Sequence, residues 1–128
     1  MRLFYFTTLL ILLSSISFAQ SLDCKKMHVG KFELVSETSG TTIIERNKNT
    51  QTETNKTMNI RTSYDLVWTS ECSYELRNRK VLEGTSKFVM KPTDVIRVEI
   101  IKIEGKKLTV KITSNFSDKV AEVEISKI

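Results

Sequence analysis

Residues 58–76 read Met58-Asn59-Ile60-Arg61-Thr62-Ser63-Tyr64-Asp65-Leu66-Val67-Trp68-Thr69-Ser70-Glu71-Cys72-Ser73-Tyr74-Glu75-Leu76. Every second residue from Met58 is apolar, aromatic or small, and the residues between are mostly polar or charged. Successive side chains on a strand point to opposite faces, so this alternation predicts half-buried β-structure. The run is too long for one average strand. It reads as a hairpin of two antiparallel strands with its tip near Ser70-Glu71. A two-residue loop there keeps Trp68 and Cys72 on one face.

Working outward from this hairpin, the chain repeats the same signal in shorter pieces. Gly30 opens a strand with Phe32 and Leu34 facing in, and Gly30 lets the backbone approach a neighbour. Thr38-Ser39-Gly40 turns, and Thr41–Arg46 forms the next strand around Ile43 and Ile44. Thr50–Thr54 suits a strand by propensity but has little to bury, which places it at an edge or over a wet interior. After the hairpin, Thr85–Met90 reads as a strand carrying Phe88 and Met90. Pro92, the only proline, falls in a loop. Val95–Ile103 is dense in Val and Ile and reads as buried on much of both faces. Gly105-Lys106 fits a type II′ turn. Leu108, Val110 and Ile112 alternate with polar residues, as do Ala121, Val123 and Ile125.

These pieces predict an all-β, antiparallel, up-and-down meander of eight to nine short strands with no helix of consequence. An open sheet of that size exposes two edges, and closure removes them. A small barrel is therefore preferred, with a two-sheet β-sandwich as the alternative. The domain plan is a signal peptide over 1–19 and one β-barrel domain over 20–128. Arg2 is a basic n-region, Leu3–Leu13 an apolar h-region, and Ser17-Phe18-Ala19 places small residues at −3 and −1 of a cleavage site. The apolar run is short for a bilayer span, so the mature chain is expected to carry no transmembrane segment. Asp23 before Cys24 makes a poor acylation signal. The product is expected to be exported, and so periplasmic or extracellular.

In an oxidising compartment the only two cysteines, Cys24 and Cys72, are expected to form a disulfide. The formal net charge is +5, but the basic residues alternate with acids, as in Arg97-Val98-Glu99 and Lys102-Ile103-Glu104. That pattern describes solvated strand faces and no nucleic-acid footprint. His28, the only histidine, reads as an exposed loop residue. With one His and two paired Cys there is no ligand set for a metal, no cofactor motif and no catalytic triad. Glu71, Glu75, Glu99, Glu104, Glu122 and Glu124 sit in polar registers or turns, where no apolar setting raises a carboxyl pKa.

Thr62, Tyr64, Trp68 and Tyr74 form the candidate ligand-binding group. They share one register of the hairpin and point into a closed barrel. A small hydrophobic or amphipathic molecule suits such a lining. The competing reading is an interior simply filled by these rings, in an envelope protein that offers an edge strand or loop to a partner. An interior volume of about 300 Å³ or more favours the ligand. Neither reading makes the chain an enzyme.

Two resemblances accompany these residues. Cys24-Lys25-Lys26, then Gly30-Lys31-Phe32, then Thr42–Asn47 with Gln51-Thr52-Glu53, then Trp68–Leu76 resemble small exported proteins of flavobacteria and their relatives. Some of those carry a DNA topoisomerase IV label. That chemistry does not fit a short exported chain, and the label is a naming error. The second resemblance is to the lipocalins, through the lead-in and Gly30-Lys31-Phe32, similar to the Gly-x-Trp start of the lipocalin first strand. Phe32 replaces the tryptophan, and no partner for the arginine that packs on it stands out. Thr93-Asp94 is similar to a lipocalin Thr-Asp pair. This second resemblance implies a barrel whose bottom is closed by the first strand.

Overall fold

A computed structural model of the protein describes residues 22–128. The expected signal peptide over 1–19 lies outside them. A single 3-10 turn, Lys25–Met27, leads into eight strands: β1 (Gly30–Ser36), β2 (Gly40–Arg46), β3 (Thr50–Asn55), β4 (Ile60–Ser70), β5 (Ser73–Glu83), β6 (Ile96–Glu104), β7 (Lys107–Ser114) and β8 (Ala121–Lys127). All neighbours are antiparallel in sequence order, and β8 returns to β1, so the sheet is a closed barrel and not a sandwich. The closing seam is short, with Phe32 paired to Lys127 and Glu33 to Ser126.

Alternation sets the inner face. Phe32 and Leu34 of β1 stand beside Ile44 and Thr42 of β2. Tyr64, Leu66, Tyr74, Leu76, Val98, Ile100, Leu108, Val110 and Ile125 continue the core around the barrel. Four register slips interrupt the ladders, three between β4 and β5 and one between β6 and β7, and two of them decide which residues face the core. Asn78 takes φ +52°, and the β4–β5 register slips there between Ser63 and Asp65. The extra residue moves Arg79 into the inner register, where simple alternation puts Asn78. A second slip on β6, between Ile100 and Lys102, puts both Ile100 and Ile103 against the core and leaves Ile101 exposed. Val95–Ile103 is thus buried mainly on one face, with a bulge accounting for its apolar density.

Three further expectations change, and a fourth is resolved between its two alternatives. The hairpin turn is Glu71-Cys72, with Ser70 paired to Ser73, so Cys72 sits in the turn and not in a strand. Met58 lies in the preceding turn and is 59% exposed. Thr85–Met90 is not a strand. Gly84–Val95 is a loop, drawn inward where the Arg79 guanidinium donates to Ser86 Oγ at 3.2 Å and to the Phe88 carbonyl at 3.1 Å. β3 has no free edge, because β2 and β4 pair on either side of it; of the two settings expected for it, the polar interior is the one found. The turn after β6 keeps its expected form, with Gly105 at φ +60° and no positive φ at Lys106.

One end of the barrel is sealed. Cys24 and Met27 plug it from below, against Phe32 and Leu108, and all four are buried. The Cys24–Cys72 disulfide, with Cα atoms 5.2 Å apart, fastens this lead-in to the β4–β5 turn. Lys127 reaches across the same end. Its Nζ donates to the Lys26 carbonyl at 2.8 Å and sits 6.0 Å from the Phe32 ring centroid. Gly30 permits this crossing: at φ +141° a Cβ there would come 3.0 Å from the Lys127 Cε.

The bridge spans a sequence separation of 48. Closing such a loop in the unfolded chain is worth roughly 4 kcal/mol in the chain-entropy model, an upper figure. The double variant Cys24→Ser/Cys72→Ser is expected to lose about 2–4 kcal/mol in urea unfolding. An unchanged midpoint would show that the plug holds without its staple.

Candidate functional site: the barrel interior

The interior has two unlike walls. β5–β8 and β1 contribute Leu76, Ile96, Val98, Val110, Ile112, Val123, Ile125 and Leu34. β3, β4 and the far end of β5 contribute Gln51, Glu53, Thr62, Tyr64 and Arg79. The polar wall follows from β3, where Thr50, Thr52 and Thr54 alternate with Gln51, Glu53 and Asn55. The longer amides and the carboxylate take the inner face. Between the walls lies a cavity of about 150 Å³, reached by Tyr64, Tyr74 and Ile44 as well. A second space of about 170 Å³ at the unsealed end is lined by Thr42, Asn55, Met58, Thr62, Arg79 and Ser86, and Glu53 borders both.

The four expected site residues separate by height. Thr62, Tyr64 and Tyr74 are buried. Tyr64 and Tyr74 line the inner cavity, and Thr62 lines the upper space. Trp68 does neither. It lies at the sealed end, stacked on His28 with ring centroids 3.4 Å apart and tilted against Tyr74 at 4.7 Å. His28 is therefore no free loop residue: it is half-buried, and its Nε2 lies 2.7 Å from the Glu71 carbonyl oxygen. Cys24 and Cys72 form the expected bridge.

The structure adds three charged groups that alternation alone did not single out. Arg46 ends β2 on the inner face and is only 3% exposed. Its guanidinium carbon stands 4.2 Å from the Phe32 ring centroid, 4.9 Å from Tyr74 and 6.0 Å from Trp68. Among the described residues, none of its three nitrogens has a hydrogen-bond partner, and the Gln51 Oε1 and Trp68 Nε1 atoms are also unpartnered. Burial pushes the guanidinium below its ordinary range, with Tyr74 and then Glu53 pulling it back. A ring face under a desolvated cation contributes about 2 kcal/mol, while burying an isolated charge costs several kcal/mol, so the rings offset only part of the penalty.

Glu53 is the second. Burial raises its carboxyl above the ordinary carboxylate range, against the lowering effects of the Gln51 hydrogen bond, Arg79 and Arg46. The Gln51 Nε2 donates to its Oε1 at 3.2 Å. This is the apolar setting that the six carboxylates named from sequence lack. Arg79 is the third, holding the loop above and lying 5.5 Å from the Phe88 ring. Burial raises the phenols of Tyr64 and Tyr74 as well. No group of three or more His, Cys, Asp or Glu side chains among the described residues could hold a metal ion. Nor is any helix among them long and apolar enough to cross a membrane.

Compared with family models, with curated proteins and with solved structures, the chain matches none. The interior must therefore be read from its own chemistry. Glu53 with a raised pKa stabilises the fold fully only below its unfolded value, near 4.5, where the carboxyl is neutral in both states. Stability is lost as pH rises through the folded value. Glu53→Gln keeps an acceptor for Gln51 and cannot ionise. It is expected to raise the melting temperature more at pH 8 than at pH 4, and an equal effect at both would place Glu53 in water.

Proposed function

We propose that this chain is an exported, non-enzymatic binding barrel that holds one small, largely apolar molecule between the aliphatic and polar walls. The amphipathic cavity carries this reading: hydrocarbon on one side, amide, carboxyl and phenol on the other. Sites of this kind use an apolar surface for affinity and a few polar groups for orientation. The distribution of exposed apolar side chains supports an approach from the unsealed end. Val35, Met58, Val81, Leu82, Phe88, Val89, Phe116 and Val120 all crowd that end, on strand tips and loops. The plugged base, with a cation from the last strand over the first-strand aromatic, supports the lipocalin-like reading. Lys127 is one of two cations near Phe32 that the sequence did not disclose, the other being Arg46. Export by the signal peptide at 1–19, to the periplasm or beyond the cell, fits the disulfide and the resemblance to small exported flavobacterial proteins.

The volume limits the ligand. About 150 Å³ is half the low end of drug-sized sites, and cavities of this volume take benzene-sized molecules. Fatty acids of full length and sterol-like compounds are excluded without rearrangement. The same number supports the second reading, an envelope interaction or structural module with a nearly filled core.

A cavity-filling variant separates the two. Val110 is buried and borders the cavity. Overpacking a core costs about 1–3 kcal/mol where space is lacking. Val110→Phe is expected to cost less than about 1 kcal/mol and to abolish calorimetric binding of 1-hexanol, a body of about six carbons suited to that volume. A folded wild-type protein that takes up no small apolar probe supports the filled module.

A further inference from the structure

Below the cavity, at the sealed end, lies a buried cation that the protein balances only in part. Arg46 is held by three rings and makes no hydrogen bond with any described residue. It is not remote from the cavity. Gln51 is its partner across the β2–β3 ladder, and Gln51 and Tyr74 both line the space. Trp68 Nε1, a second unpartnered donor, belongs to the same aromatic group. The other nearby cation is already committed, since Lys127 donates to a backbone carbonyl. Glu53 cannot serve fully as the counter-ion, because burial favours its neutral form and its Oε1 is taken by Gln51. What remains is a donor-rich base with one incompletely balanced charge, under a hydrocarbon wall.

We propose that the ligand is a small monocarboxylate bound head-down, its carboxylate on Arg46 at the sealed end and its hydrocarbon body along Val98, Val110 and Ile125. The inference rests on the binding-barrel reading and deepens it by naming the charge and orientation of the ligand. A guanidinium presents a planar fork of N–H donors that matches two carboxylate oxygens, and such charge-assisted pairs are among the strongest in a dry site. One arginine balances one negative charge, which favours a monoanion over a phosphate dianion. Short chain length follows from the cavity volume.

The test titrates the intact disulfide-bonded protein at pH 7 with hexanoate, 1-hexanol and hexylammonium by calorimetry, with Trp68 fluorescence as the local readout. Hexanoate is expected to bind at least roughly tenfold tighter than hexanol, the scale of one charge-assisted contact, with hexylammonium weakest. Hexanoate should also shift Trp68 emission, because Trp68 borders the Arg46 site. Arg46→Met is expected to erase the preference while retaining hexanol. Should that variant fail to fold, the wild-type ligand series and Arg46→Lys, which keeps the charge but loses the fork, still decide. Equal binding of hexanoate and hexanol by wild type overturns the carboxylate assignment and leaves the binding barrel standing. Binding of neither overturns both.

Discussion

Everything in this structure depends on closing the sheet. An eight-stranded antiparallel meander has two free edges unless its last strand meets its first. Here they meet across only two residue pairs, Phe32 with Lys127 and Glu33 with Ser126. So short a seam is reinforced from outside the ladder. The backbone N–H of Ile128 donates to the Lys31 carbonyl at 2.9 Å, and the Lys127 side chain ties the last strand to the lead-in. The lead-in is in turn fastened to the opposite hairpin by Cys24–Cys72. A bridge, a lysine and a buried phenylalanine thus converge on one end of the barrel. That end is sealed, and the other is left to turns, a twelve-residue loop and exposed apolar side chains.

The consequence is an interior graded from end to end. A small barrel has just enough room for its own side chains. Aliphatic residues fill most of this one, but β3 supplies none. Gln51, Glu53 and Asn55 occupy its inner register. Asn55 is fully used: its amide donates to the Ser39 carbonyl and Thr42 Oγ1, and its oxygen accepts from the Met58 N–H. It joins the turns at the unsealed end. Gln51 and Arg46 at the sealed end are not satisfied in this way. The difference is instructive. Polar groups inside a protein are usually paired, and those that hold structure here are paired. The unpaired ones, Arg46, Trp68 and Gln51, lie at the sealed end, and Gln51 among them lines the cavity.

Much of the fold was legible because period-two alternation is a strong signal wherever one strand face is dry. The turns were legible for a similar reason, since Gly105-Lys106 has few alternatives. The errors have identifiable physical causes. Thr85–Met90 has strand-like composition, but Arg79 captures its backbone and side-chain oxygens and the segment becomes a loop. Asn78 and the slip after Ile100 break the parity, and nothing local in the sequence announces a bulge. The candidate site was half legible. Tyr64, Tyr74 and Thr62 are buried as alternation demands. Trp68 shares their register but belongs to the base, because the lead-in folds under it and brings His28 onto its ring. Arg46 was hidden by habit of reading: an arginine at a strand end is normally solvated. Its parity with Ile44 and Thr42 was the available clue, and Glu53 offered the same clue on β3.

Those two residues are the observations that favour the proposed binding barrel over an inert scaffold. A scaffold gains nothing from a buried guanidinium, since an apolar side chain of similar volume under the same rings avoids the desolvation cost. Nor does it gain from a carboxyl whose environment opposes its ionisation. The two offset each other only in part: Gln51 and not Arg46 is the hydrogen-bond partner of Glu53. Buried groups with displaced pKa values cluster at functional sites, and that association is what links this pair to the proposed ligand. The cation lies at the closed end and the carboxyl higher up, between the two spaces. A molecule entering from the open end passes the group that can become neutral before it reaches the group that stays charged. That order of groups is the one the proposed head-down carboxylate requires.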